Sequence, residues 1–308
     1  MEMRQVFTDT LEDLMENDER ICVVDADLAR ANGTLRLRER FPERAFDVGV
    51  AEANMASVAS GLASYGFIPF ITSFAPFATR RMCDQLALSI AYAKSNVKVV
   101  GTDPGITAEL NGGTHMAFED LAITRAIPGM VIVEPVDNTQ LRLAVKAVAA
   151  HKGPVYIRMA RKVQPDVFDE SYKFNLFTAD ILRTGDDITI LAAGIMAAKA
   201  LEAAKLLSGK GCNPEVINVH TLKPLDDETI LRSIEKTKKV LTLENHSVIG
   251  GLYSAVCELT AQEYPVRINR IGVEDACGQV GKLDELAEIY GLTIDAIVKK
   301  VSGILDLH

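Results

Sequence analysis

Short apolar runs alternate with helical patterns along almost the whole chain, and this alternation restricts the fold more than any other feature. The apolar runs are typical of buried strands: ICVVDAD, AFDVGV, FIPFITSF, VKVVGTD, MVIVEPV, PVYIRMA, DITILAAG, PEVINVH, KKVLTLE and VRINRIGV. Segments with helical spacing separate them, among them NMASVASGLASYG, TRRMCDQLALSIAYAK, MAAKALEAAKLLSGKG, DDETILRSIEKT and GGLYSAVCELTAQEY. Strands that alternate with helices form mostly parallel sheets covered on both faces. The sequence therefore predicts an α/β fold.

The length of 308 residues favours two domains over one. The alternation lapses around residues 165–186, where VQPDVFDESYKFNLFTADILRTGD is polar and rich in turn residues. We therefore predict a larger domain at 1–165, a linker at 166–186 and a smaller domain at 187–308. Each domain is expected to contain a mostly parallel sheet flanked by helices.

Charge and hydropathy exclude two classes of partner. The net charge is −9 and the basic residues are interspersed with acidic ones, so no basic face is expected to bind a nucleic-acid backbone. No apolar run approaches the roughly 20 residues that span a bilayer, and the start MEMRQVFTDTLEDL lacks the basic flank and apolar core of a signal peptide. We expect a cytoplasmic protein that binds neither nucleic acid nor membrane.

The cysteines indicate no structural bridge or zinc site. They are odd in number and scattered, without CxxC spacing: Cys22, Cys83, Cys212, Cys257 and Cys277. We therefore expect free thiols.

Parallel sheets bind ligands where the carboxyl ends of strands meet loops. Four segments follow predicted strands: DAD with Asp27, GVAEANM with Glu52, TSFAPF with Phe74 and Phe77, and GTDPGITAELNGGTH ending at His115. Each also has an ordinary structural explanation. Glu52 suits the positive end of a helix dipole, the phenylalanines suit a core, Asp27 suits a helix N-cap, and His115 suits a loop cap. The last loop is long and glycine-rich, which favours a functional role for it.

Taken together and in order, these segments resemble a known family. GVAEANM, SFAPFATRRMCDQ and NGGTHMAFEDLAITRAIPGMVIVEP resemble the pyrimidine-binding domain of transketolases and of their relatives, deoxyxylulose-phosphate synthase and the beta subunits of 2-oxo acid dehydrogenases. INVHTLKPLDDETI, LTLENHSVIGGLYSAVCEL and YGLTIDAIVKKV resemble the C-terminal domain that follows it in those enzymes. The resemblance covers nearly all of residues 1–308.

The resemblance implies a thiamine diphosphate site. It assigns Glu52 to the hydrogen bond with N1′ of the aminopyrimidine ring, with burial favouring a shared proton. It assigns Phe74 and Phe77 to the cofactor pocket, with Phe77 stacked on the ring, and places Asp27 nearby. It assigns His115 to the substrate C2 oxygen, where a donor stabilises developing charge.

The resemblance also implies substrate-binding residues, and at two of these positions this chain differs from the family. Arg4 and Arg161 match basic positions that hold the distal phosphate of sugar substrates, although either could be a surface arginine. Asn111 stands where many transketolases have an aspartate, and Asp103 stands where they have a histidine directed at the phosphate. Because an added anion repels phosphate, the sequence indicates that a modified sugar is an alternative to the usual pentose phosphates.

The family's diphosphate and metal motif is absent from the sequence. The nearest match to GDG with a downstream asparagine is Gly185-Asp186-Asp187 with Asn213, which has an aspartate in place of the last glycine and precedes a strand. The chain is therefore expected to bind no metal. A second polypeptide, the N-terminal subunit of a split transketolase, is expected to supply the diphosphate site and a divalent metal such as Mg²⁺. We expect two copies of each chain in a heterotetramer that acts on a small sugar or sugar phosphate.

Two other functions remain open from the sequence. The chain could be the beta subunit of a 2-oxo acid dehydrogenase E1 component, or a binding relative without catalysis. The NGGTH loop and the paired phenylalanines favour a transketolase subunit that transfers a two-carbon ketol group from a ketose to an aldose.

Overall fold

A computed structural model describes residues 1–307, which form two β-sheets flanked by helices. The strands are β1 (Ile21–Asp25), β2 (Ala45–Asp47), β3 (Ile68–Phe74), β4 (Lys98–Thr102), β5 (Val131–Val133), β6 (Val155–Met159), β7 (Asp180–Arg183), β8 (Ile188–Ala192), β9 (Pro214–Asn218), β10 (Thr221–Lys223), β11 (Val240–Ser247) and β12 (Ile268–Val273). The α-helices are α1 (Met3–Asn17), α2 (Ala29–Asn32), α3 (Leu35–Arg40), α4 (Glu52–Ser64), α5 (Cys83–Gln85), α6 (Asp120–Ala126), α7 (Asn138–Ala150), α8 (Ile195–Ser208), α9 (Asp227–Thr237), α10 (Leu252–Glu263), α11 (Leu283–Tyr290) and α12 (Ile294–Leu305). Wider π-helical turns span Phe77–Arg81 and Leu86–Tyr92, and a 3-10 segment spans Gly105–Asn111.

Both sheets are mostly parallel. The first has the order β10-β5-β6-β4-β3-β1-β2 and the second the order β12-β11-β8-β9-β7. Only β10 and β7, at the sheet edges, pair antiparallel with their neighbours in these 307 residues. The predicted α/β fold with two mostly parallel sheets is confirmed.

Strand register in the first sheet aligns the carboxyl ends of its central strands. Asp25 of β1 pairs with Thr72 of β3, Phe74 of β3 pairs with Thr102 of β4, and Thr102 pairs with Met159 of β6. Because these strands are parallel, the loops that follow them emerge along one edge of the sheet.

Two strands were not predicted, and one of them lies in the predicted linker. β7 is within 166–186 and pairs with β9, so this part of the linker belongs to the second sheet. β10 lies in the C-terminal half of the chain but joins the first sheet beside β5. β7 is short and partly exposed, and such an edge strand gives little apolar signal. The remaining domain bounds stay predictions.

A continuous core and a buried charge network join the two sheets. One apolar cluster contains Met55 and Leu121 together with Leu191, Leu222 and Leu252.

Within residues 1–307, no helix combines the length and apolarity needed to cross a membrane.

Arg158 of β6 is fully buried and donates hydrogen bonds to carboxylates of neighbouring segments. Its Nε donates to Asp120 Oδ2 at 2.7 Å, its Nη1 to Glu134 Oε1 at 2.5 Å and its Nη2 to the carbonyl of Asn245 at 2.8 Å. Burial opposes ionisation of Asp120, but the contacts with Arg158 hold the pKa of that carboxyl below its usual value. Because Asn245 belongs to β11 of the second sheet, the network ties the two sheets together.

We predict that Arg158→Met lowers the free energy of unfolding by about 3–5 kcal/mol, because two buried carboxylates lose their only arginine partner. Urea unfolding followed by circular dichroism measures the change. Lys205→Met is the control, since Lys205 and Glu202 form an exposed pair worth less than about 1 kcal/mol. Equal stability of the two variants would contradict a structural role for the buried network.

Candidate active site

The candidate residues lie along one edge of the first sheet. Phe74 ends β3, Asp103 and Arg161 follow β4 and β6, and Glu52 begins the helix after β2. Among the described residues, left-handed backbone recurs in these loops, with φ of 59° at Asp27 and 51° at Asp103. Such conformations are uncommon outside glycine and concentrate at functional sites.

Glu52 is a buried carboxylate at the first turn of α4, where it is 3% exposed. The chain turns into this helix at Gly49, whose φ of 73° suits glycine and whose N–H donates to Asp47 Oδ1 at 2.8 Å. The amino end of the helix favours negative charge there. The position fits both the structural and the functional explanation of Glu52.

Three rings form an aromatic cluster next to Glu52. The ring centroids of Phe74 and Phe77 are 6.1 Å apart, and those of Phe77 and His115 are 5.1 Å apart in an edge-on arrangement. His115 also lies 5.8 Å from Phe74. Phe77 begins a π-helical turn, a geometry that is frequent at functional sites. The structure therefore brings His115 into contact with two phenylalanines that are 38 or more positions away in the sequence.

Arg81 connects Glu52 to this cluster and was not predicted. Its Nη1 donates to Glu52 Oε1 at 2.8 Å, and its guanidinium carbon lies 3.9 Å from the centroid of the Phe77 ring. The side chain is 47% exposed. The Arg80-Arg81 pair soon after Phe77 was visible in the sequence, but only the wide helical turn directs the second arginine to Glu52.

Asp27 lies apart from these contacts. It is exposed and donates its backbone N–H to Asp47 Oδ1 at 3.0 Å, and α2 begins only at Ala29 with Leu28 as its N-cap. The N-cap explanation is therefore wrong. The buried acid before this loop is Asp25, the last residue of β1, which accepts a hydrogen bond from Thr34 and whose pKa burial raises to about 6.

The two predicted basic residues meet at a second cluster. Arg161 donates to Asp103 from its backbone N–H at 3.0 Å and from Nε at 2.5 Å, and its guanidinium carbon lies 4.7 Å from the Phe74 centroid. Nη1 of Arg161 and Nη1 of Arg4 both donate to the carbonyl of Ala31, at 3.2 and 3.1 Å. Arg4 also pairs with Glu2 at 2.6 Å. The surface-arginine explanation does not fit Arg161, whose side chain is 16% exposed.

Comparisons with known proteins agree with this arrangement. The family profile of the transketolase pyrimidine-binding domain matches residues 1–165, and that of the transketolase C-terminal domain matches residues 178–297. The chain belongs to the transketolase family. The resemblance predicted from the sequence is confirmed.

Individual members of the transketolase family match along nearly their full length. A 6-deoxy-6-sulfo-D-fructose transketolase subunit of Clostridium sp. (strain MSTE9) is 54% identical over 297 residues, which are 96% of this chain and 92% of that protein. One of the apulose-4-phosphate transketolase subunits of Phocaeicola vulgatus is 36% identical, over 96% of this chain and 95% of that one. The structure of a split-gene transketolase, described as an inactive beta4 tetramer, has a TM-score of 0.92 at 41% identity and covers 100% of this chain and 99% of that chain.

The transketolase C-terminal domain holds the loop that carries Asn111 and His115. Asn245 of β11 accepts a hydrogen bond from the Ile106 N–H at 2.9 Å and donates to the Pro104 carbonyl at 3.0 Å. Asn111, at the end of the 3-10 segment, is exposed. Gly113 lies so close to the Gly278 backbone that an added Cβ would be 2.4 Å from its carbonyl oxygen. No local pattern indicated these supports, because they join residues more than 130 positions apart.

The segment that imitates the family's metal motif serves a different purpose. The N–H groups of Asp186 and Asp187 donate to the Asn213 carbonyl at 2.9 and 3.1 Å, and Asp187 accepts the Asn213 N–H at 2.6 Å. These bonds close the loop before β8. Within residues 1–307, no group of three or more His, Cys, Asp or Glu side chains is arranged to bind a metal.

We predict that Asn245→Ala loosens the loop around Pro104 and Ile106 without unfolding the chain. The Ile106 amide loses its buried acceptor, so local opening becomes easier and amide exchange at 105–112 is expected to rise roughly tenfold. Hydrogen-exchange mass spectrometry measures this. Asn269→Ala is the matched control, since Asn269 likewise donates to a backbone carbonyl, that of Val240. Unchanged exchange at 105–112 in Asn245→Ala would contradict a role of Asn245 in holding this loop.

Proposed function

We propose that this chain is the C-terminal subunit of a thiamine-diphosphate-dependent transketolase that transfers a two-carbon ketol group between a ketose and an aldose. It acts with an N-terminal partner subunit. The observation that carries the proposal is the buried carboxylate of Glu52, which Arg81 links to the face of Phe77, with His115 in contact with the same ring.

The contacts of Arg81 support the fit of the cofactor's aminopyrimidine ring. A guanidinium is planar and carries N–H donors at its edge. That of Arg81 lies on Phe77 while donating to Glu52. The aminopyrimidine ring is also planar, and it requires the same two contacts, one stacking partner and one carboxylate. Arg81 must therefore leave this place when the ring binds, and its exposure gives it solvent to move into.

Each residue then has a distinct part in the reaction. When bound, thiamine diphosphate supplies the electron sink for the two-carbon unit. Glu52 holds a proton at the ring's N1′, because a water-excluded carboxylate keeps a strong hydrogen bond there. Phe77 orients the ring, and His115 donates to the substrate oxygen that gains charge. Phe74 separates this centre from the Arg161 cluster, and Asp27 borders the loop that leads to Glu52.

The surroundings of the site support a partner subunit. Three apolar residues next to the site loops are strongly exposed, Val50 at 71%, Leu110 at 66% and Val280 at 69%. Exposed apolar residues around a polar site are typical of an interface. A related beta chain forms an inactive tetramer alone. We propose that the N-terminal subunit covers this face, contributes the diphosphate site with a divalent metal such as Mg²⁺, and assembles with this chain as a heterotetramer.

The residues around Arg4 and Arg161, which we call the far end of the site, support a substrate class. Two relatives are named for sugars with an anionic group, a sulfonate in one and a phosphate in the other. Arg4 and Arg161 offer guanidinium donors at the end of the site away from Glu52. We propose a ketose with a distal anionic group as the ketol donor, with Asn111 on the loop beside the substrate.

We predict that Glu52→Gln lowers kcat for ketol transfer by about 10²- to 10⁴-fold, the usual contribution of a positioned proton-transfer group. The chain is purified together with a partner subunit that carries the GDG motif, and transfer from ketose to aldose is assayed. Glutamine keeps the size of the side chain, so complex formation measured by size-exclusion chromatography is expected to be unchanged.

Glu39→Gln is the control, because Glu39 is an exposed acid of α3. Full activity of Glu52→Gln would reject the proposal. Acylation of a lipoyl domain from a 2-oxo acid would instead identify a dehydrogenase beta subunit. A complex that takes up no thiamine diphosphate in calorimetry would identify a binding relative without catalysis.

A further inference from the structure

The far end of the site contains equal numbers of positive and negative side chains. Arg4, Arg161 and Lys162 supply three cations, and each is paired with one carboxylate. The pairs are Arg4 with Glu2, Arg161 with Asp103, and Lys162 with Glu109. We call these six residues the distal cluster; its formal charge is zero.

Asp103 is the most deeply placed acid of the distal cluster. It is 2% exposed, and both its oxygens accept hydrogen bonds from Arg161. The pKa of Asp103 is raised, because burial outweighs the opposing effect of the contacts with Arg161. The ion pair with the guanidinium, which keeps its charge at all ordinary pH values, favours the carboxylate form. Its position is fixed by the left-handed backbone after β4 and by the Asp103 N–H, which donates to the Met159 carbonyl at 3.0 Å.

This pairing leaves Arg161 with free donors, but the pair of Arg161 and Asp103 has no net charge. Its Nε and one N–H of Nη2 are used by Asp103 and one N–H of Nη1 by Ala31, so one N–H on each terminal nitrogen remains for a ligand. An anion at this point forms hydrogen bonds but gains little from long-range attraction, because the carboxylate behind the guanidinium repels it. The repulsion grows with the charge of the ligand.

We propose that Asp103 is a specificity-determining residue that makes the site prefer a sugar with a distal monoanion, such as a sulfonate, over one with a phosphate dianion. The inference rests on the proposed function only in taking the distal cluster as the end of the sugar site. A sulfonate carries one negative charge and three acceptor oxygens, whereas a phosphate monoester carries about 1.5 to 2 charges at neutral pH. The two groups have similar shape and acceptors, so charge separates them.

The test is Asp103→Asn in the complex of the two subunits. Asparagine tolerates left-handed backbone and retains an acceptor for the Arg161 N–H, so the change removes charge with little change of shape. Dissociation constants are measured by calorimetry for fructose 6-phosphate, for 6-deoxy-6-sulfofructose and for fructose itself. Asp13→Asn, an exposed acid of α1, controls for the overall charge of the protein.

The native complex is expected to bind the sulfonate more tightly than the phosphate. Asp103→Asn is expected to shift the ratio of the two dissociation constants toward phosphate on the order of tenfold, since the dianion gains about twice as much from the removed repulsion. The control variant leaves the ratio unchanged.

Preference of the native complex for phosphate, or binding of neither anionic sugar more tightly than fructose, would overturn the inference, and neither result depends on how well a variant folds. An unchanged ratio in folded Asp103→Asn would overturn it as well. A complex with the expected ratio but without ketol transfer would contradict the proposed function and leave the assignment of Asp103 supported.

Discussion

The parallel pairing of β1, β3, β4 and β6 determines where the candidate site residues lie. In an antiparallel sheet the loops after successive strands would emerge at opposite edges, and Phe74, Asp103 and Arg161 could not meet. Parallel register places the ends of β3, β4 and β6 side by side. The contacts of Phe74 with His115 on one side and with Arg161 on the other follow from that alignment. Phe74 therefore lies between the centre of Glu52 and Phe77 and the distal cluster.

Three arginines with one chemistry serve three purposes because their burial differs. Arg158 is fully buried, and its donors are used by carboxylates and a carbonyl, so its role is structural. Arg161 is partly open and retains donors beyond those that Asp103 and Ala31 use. Arg81 is half exposed, so water can solvate its guanidinium if another donor takes its place on the buried carboxylate of Glu52. The number of guanidinium donors that the fold already uses therefore determines whether an arginine is held in place, can bind a ligand or can move.

The sequence predicted those features that depend on local pattern. Buried strands such as Val131–Val133 have a continuous apolar signal. The roles of Glu52, Phe74, Phe77 and His115 came from the family resemblance and stay predictions. β7 and β10 were missed because short edge strands have mixed exposure. Arg81 and Asn245 were missed because their partners are far away in sequence, and no local pattern encodes such pairs. Asp103 was interpreted as an added anion that repels phosphate, and its pairing with Arg161 was not predicted, since a sequence shows the sign of a charge and not the neighbour that neutralises it.

The backbone at the site also limits which residues can serve there. Asp27, Asp103 and Glu109 all have positive φ, between 49° and 59°. Glycine would relieve this strain, which costs on the order of 1 kcal/mol or more per residue, but it has no carboxylate. Asp103 and Glu109 each pair with a cation of the distal cluster, so glycine at either position would leave a positive charge uncompensated there. Strained backbone at these two positions therefore accompanies a neutral distal cluster, and under the proposal for Asp103 this neutrality selects a ligand by its charge.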